Sequence, residues 1–180
     1  GVLVTANSIM KRFRYGFKSD ALFLELKYCL EQLQVPLLQL FQATSERVVA
    51  VSAEPQGSPA VYRQLLPMLE ALRTMARIFF SLNWQDLPEY FEDHMDEWMP
   101  LFLRYLSYEN ATVTDPDEDA EPGPIDRLQT AIVENASLYA EKYEEEFQKH
   151  LPGFAQQIWG LLVKLTPATK YDQLASTSIR

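Results

Sequence analysis

The chain has 180 residues, 47% of them hydrophobic, and a formal net charge of −9. That length and apolar content suffice for a real core and exclude a disordered chain. The acidic balance argues against a nucleic-acid binder, a single cysteine (Cys29) excludes an internal disulfide framework and suits a reducing compartment, and no apolar run is long enough to span a membrane. No signal-peptide pattern stands at the start, and the chain runs from Gly1-Val2-Leu3 to Ser178-Ile179-Arg180. It therefore reads as a soluble intracellular protein and as a slice of a longer chain.

Hydrophobic periodicity predicts eight helical segments, the first over 3–14 and ended by Gly16. Ser19 or Asp20 caps the second, which carries Leu22, Leu26, Leu30 and Leu33 on one face to about residue 34. Pro36 is expected to open a third helix to about residue 53, with Leu37, Leu40, Phe41 and Thr44 aligned, before a loop over 54–59. The fourth, 60–84, bears a stripe through Tyr62, Leu65, Leu69, Leu72, Ala76 and Phe79, widened by further apolar residues. So broad a stripe means cover on more than one side, and Pro67 within it is a candidate kink.

The fifth segment is expected from Pro88 to about Tyr108, with Asp86 near its cap and Phe91, Met95, Trp98, Phe102 and Tyr105 in one stripe. Residues 109–124, rich in Asp, Glu and Pro, read as an acidic mobile loop. The sixth helix is expected over 125–150 with Ile125, Leu128, Ile132, Tyr139, Tyr143 and Phe147 on one face. Pro152 opens a seventh, ending near Thr166-Pro167, and an eighth begins at Tyr171. Leu87-Pro88-Glu89-Tyr90-Phe91 and Leu151-Pro152-Gly153-Phe154 start alike, and each leads to a tryptophan, Trp98 or Trp159, with apolar residues three and four positions on. A helical unit that restarts at such intervals marks an α-solenoid. The prediction is an all-α fold of antiparallel helix pairs of HEAT type, about four repeats forming one unit over 1–180, since no strict tetratricopeptide period is kept.

Chemistry is sparse. His94 stands among Glu92, Asp93 and Asp96, which reads as a solvated acidic helix face in preference to a metal site. His150 follows the sixth helix, where an imidazole is favourable, and Cys29 flanks an apolar stripe. Asn110-Ala111-Thr112 and Asn135-Ala136-Ser137 match the glycosylation pattern, which an intracellular chain would not use. With no glycine-rich phosphate loop and no catalytic constellation, the expectation is a binding protein without enzyme activity, metal or cofactor. Charge is more telling: residues 85–124 hold twelve acids and one base, Arg104, for a net −11, which leaves +2 on the remaining 140 residues. Such asymmetry steers basic partners, or simply solubilises a helix edge. Glu134, Glu141, Glu144 and Glu145 lie on the sixth helix away from its aromatic stripe.

Residues 79–99 (FFSLNWQDLPEYFEDHMDEWM), 135–163 (NASLYAEKYEEEFQKHLPGFAQQIWGLLV) and 170–179 (KYDQLASTSI) resemble the importin-α re-exporters, the CAS-type exportins of the karyopherin-β family. The resemblance is dense over 76–180 and looser over 1–60. It implies a HEAT superhelix of which this is an early internal portion, in the amino-terminal half. It further implies a receptor that carries importin-α out of the nucleus with GTP-bound Ran, shuttling between nucleus and cytoplasm, with nucleoporins as further candidate partners. The family's cargo includes a basic segment, so Glu134, Glu141 and Glu145 become the candidate contact residues. The alternative is a HEAT spacer or scaffold that makes no ligand contact itself.

Overall fold

A computed structural model describes residues 1–85, 94–114, 122–164 and 172–179. Among them the helices are α1 (Val2–Met10), α2 (Arg12–Tyr15), α3 (Asp20–Ser52), α4 (Pro59–Asn83), α5 (Met95–Leu106), α6 (Pro124–Lys142), α7 (Glu144–Phe147), α8 (Leu151–Lys164) and α9 (Asp172–Ile179). No strand occurs among these residues. Two rows of helices lie back to back. One row runs α3, α5, α8; the other runs α1, α4, α6, α9; and α3/α4, α5/α6 and α8/α9 pair across the rows. The architecture is the expected solenoid of helix pairs, with α1 beside α4 as a further half-pair.

Local chemistry sets the helix starts. The Ser19 hydroxyl accepts from the Leu22 amide and the Ser58 hydroxyl from the Ala60 amide, while Pro59 and Pro124 occupy first-turn positions. Gly57, with φ of 80°, makes the turn between α3 and α4 where a side chain would be strained.

The expected helix start at Pro36 is corrected: α3 runs unbroken for 33 residues with Pro36 inside it. Its buried stripe, Leu22, Leu26, Leu30, Leu37, Leu38, Phe41 and Val48, continues across the proline and packs on α4, so burial on both sides outweighs the one lost backbone bond. Leu40 and Tyr62, expected on buried stripes, are 45% and 43% exposed, and Leu38 and Val61 take the inward positions. Pro67 likewise sits within α4, which is covered by α1, α2, α3 and α6 as its wide stripe requires. The expected sixth helix is corrected too. It ends at Lys142, and Tyr143 (φ −127°, ψ 51°) turns the chain into the short α7 while keeping its own ring buried. The proposed start at Pro88, the helix end at Thr166-Pro167 and Tyr171 lie outside the described residues, as does 115–121 of the acidic loop. Residues 110–114 form a hydrogen-bonded turn in which Val113 is buried and Thr112 accepts from the Gly57 amide.

A line of aromatic contacts crosses all three pairs. Trp98 of α5 meets Phe41 of α3 (5.5 Å between ring centroids) and Phe79 of α4 (4.2 Å). Phe79 meets Tyr139 of α6 (5.9 Å), Tyr139 meets Phe147 (6.0 Å), and Phe147 meets Phe154 of α8 (5.3 Å). Each such contact contributes about 0.5–1.5 kcal/mol beyond burial. Polar bonds fix the register: the Gln129 amide of α6 donates to the Tyr105, Leu106 and Tyr108 carbonyls at the end of α5, and the Asn135 amide donates to the Ala76 carbonyl of α4. Tyr105 donates to Ser45 at 2.7 Å, and burial pushes its phenol up to about 12 against that hydrogen bond.

Candidate partner-binding groove

A concavity of about 930 Å³ opens along α6 between the end of α4 and helices α8 and α9. Its apolar walls are Phe80 and Trp84 at the end of α4 and Leu151, Ile158, Trp159 and Leu162 of α8. Trp159 is 66% and Trp84 39% exposed, an unusual display for the largest apolar side chain.

Glu134 and Glu141 both line this groove. They stand seven residues apart on α6, hence on one face and about 10 Å apart along the axis. Neither makes an ion pair or hydrogen bond among the described residues. Glu145, the third candidate, is exposed beyond the turn at Tyr143 and is not part of the groove wall. The break that ends α6 therefore separates it from the other two.

The groove floor is held by Arg14, whose Nε donates to Ser81 Oγ (2.9 Å) and whose Nη2 donates to the Arg77 carbonyl (3.2 Å). Its guanidinium lies 4.4 Å from the Phe80 ring. Burial, and then the like charge of Arg77, hold Arg14 below the ordinary arginine range, while Glu134 and Tyr15 act the other way. On the rim, Lys142 donates to the Trp84 carbonyl.

The other singled-out residues have structural partners. His94 bonds Glu97 (2.8 Å), with Glu92 and Asp93 outside the described residues. His150 lies between α7 and α8 rather than at the end of a long sixth helix, and its Nε2 meets Asp96 (3.0 Å), which also pairs with Lys149. Among the described residues no three His, Cys, Asp or Glu side chains are placed to hold a metal ion. Cys29 is half-buried, and burial first, then Glu25, pushes its thiol up against the pull of Arg12. Asn110 and Asn135 are buried at 4% and 0%, so both acceptor patterns serve internal hydrogen bonds. No described helix is long and apolar enough to cross a membrane. The sequence reading missed Trp84 and Trp159 as groove walls. The sequence singles out Trp159 as part of a helical repeat signature shared with Trp98, without assigning it to a groove.

Comparison with known proteins bears on this geometry. The Cse1 family model matches residues 9–180. Exportin-2 of Xenopus laevis is 43% identical over all 180 residues, and those of Oreochromis niloticus and Homo sapiens are 42% and 41% identical over the same span. The chain spans 18% of the length of each of these relatives. A solved structure of the exportin Cse1 in its cargo-free, cytoplasmic state superposes with a TM-score of 0.90 at 34% identity, covering 99% of this chain and 18% of that one.

Proposed function

The chain belongs to the Cse1 family, and from that premise we propose that it is a segment of a nuclear transport receptor that exports importin-α in a complex with GTP-bound Ran. What supports this reading is correspondence along the whole of this chain with part of the exportin-2 relatives, together with a matching helical solenoid. Its role is binding rather than catalysis, and the whole receptor shuttles between nucleus and cytoplasm, meeting nucleoporins on the way.

Within the segment, the groove on α6 is the cargo-facing element. Glu134 and Glu141 supply unpaired carboxylates at a spacing that suits basic residues on a partner, beside the apolar walls of Trp84 and Trp159. Glu145 contributes from outside the groove by attraction through solvent. Calorimetric titration of the full-length receptor with importin-α, with and without GTP-loaded Ran, tests the overall reading. Binding strengthened by GTP-loaded Ran is the expected result; equal affinity in its presence and absence would refute the coupling.

A further inference from the structure

On a chain of net charge −9, four arginines gather along the row formed by α1, α2, α4 and α6: Arg14, Arg73, Arg77 and Arg127. Arg73 and Arg77 stand one turn apart on α4, facing Arg127 on α6 across a small cavity of about 60 Å³. Glu70 is shared between two of them, lying 3.1 Å from Arg73 Nη1 and 2.7 Å from Arg127 Nη2. One carboxylate thus serves two guanidiniums.

Arg77 is different. Its guanidinium has no hydrogen-bond or ion-pair partner among the described residues, and its Nε is shielded from solvent and unmatched. Its charge also bears on Arg14, a like-charge neighbour on which Glu134 acts in the opposite sense. The acids nearby do not relieve this. Asp126 lines the cavity, but backbone groups of Gly123 and Asp126 itself engage its carboxyl, and burial pushes that carboxyl up. Glu134 stands on the border, lining both this cavity and the groove. Thr130 Oγ1 donates to the Asp126 carbonyl, so its proton is already used. The cavity therefore holds one guanidinium, that of Arg77, without a hydrogen-bond partner among the described residues.

We propose that this pocket binds a carboxylate from an acidic segment of a protein partner. A guanidinium fork with free N–H groups matches a carboxylate in two parallel bonds, a geometry lysine cannot reproduce. Arg77 supplies that fork, with Arg73 and Arg127 flanking it. Because the chain as a whole repels acidic ligands, such binding depends on this local contact rather than on the general field. The inference goes beyond the α6 carboxylate reading and stands without it: that surface attracts basic residues, this pocket acidic ones.

Fluorescence anisotropy with a labelled hexaglutamate peptide on the full-length protein tests it, with hexaglutamine as the uncharged control. Arg77→Gln is expected to weaken hexaglutamate binding about tenfold, the scale of one charge-assisted hydrogen bond. Arg73→Gln is expected to weaken it several-fold, and both variants leave Arg127 paired with Glu70. Arg63→Gln, at the exposed start of α4, is expected to change nothing. Hexaglutamate binding that is absent, or that is equal in wild type, Arg77→Gln and Arg73→Gln with helical content intact, would overturn the proposal.

Discussion

Helices α5 and α8 carry the same sequence signature, a tryptophan followed by apolar residues three and four positions on, yet Trp98 is 1% exposed and Trp159 66%. The difference lies in their neighbours. α5 is flanked by α3 and α8 and backed by α6, so Trp98 meets Phe41, Phe79 and Phe102. α8 has α5 on one side and α9 behind it, and only Phe154 of its apolar residues is fully buried. Gly153 lets α8 come close to α5 near Leu103, where an added Cβ would meet that side chain at 3.2 Å. A helical repeat pattern thus specifies a helix with an apolar face. Position in the stack decides whether that face becomes core or stays exposed.

Truncating both tryptophans tests this difference in burial directly. Trp98→Ala is expected to cost about 3–5 kcal/mol through cavity formation in the aromatic line. Trp159→Ala should shift stability by about 0.5 kcal/mol or less, as for exposed sites. Urea unfolding midpoints of the two variants would show it, and comparable losses would mean that Trp159 is buried in solution. A smaller effect is expected for Gln129→Leu, which leaves the carbonyls ending α5 without their donor, at about 1–3 kcal/mol; the same denaturation measurement reads it.

Weakest is the exposed junction between α5 and α8. The Lys149 hydrogen bond foremost, helped by the Lys149 charge and by His150, holds the Asp96 carboxyl below its ordinary value of 3.8. A carboxylate lowered in the folded state stabilises fully above its unfolded value, and that contribution fades as pH falls through the folded value. The stability gap between wild type and Asp96→Asn should therefore be constant at neutral pH and close below about pH 4. Thermal melts across pH 2.5–7 would reveal it, and a gap that widens on acidification would contradict the assignment.

Much of this was legible in the residues themselves. The Ser19 cap, the wide stripe of α4 and the aromatic face of α6 follow from spacing, because each depends on neighbours within a few turns. Pro36 did not announce that it lies inside a helix, since its lost bond is outweighed by packing of Leu30, Leu37 and Phe41. The break at Tyr143 was equally hidden, for the ring is buried on both the helical and the turned path, and that break set Glu145 apart from Glu134 and Glu141. The pairing of Glu134 with Glu141 was readable from a seven-residue spacing. The tryptophan walls and the arginine pocket were not, because each joins residues from separate helices.

The proposed role of the segment turns on contact between the α6 carboxylates and cargo. Calorimetric titration of the full-length receptor with importin-α and GTP-loaded Ran, comparing wild type with a Glu134→Gln, Glu141→Gln double variant at low and moderate salt, tests it most directly. Binding by the variant is expected to be several-fold weaker at low salt, with the gap narrowing as salt screens the wild-type contact. Equal affinity of the two proteins at both salt concentrations would contradict it.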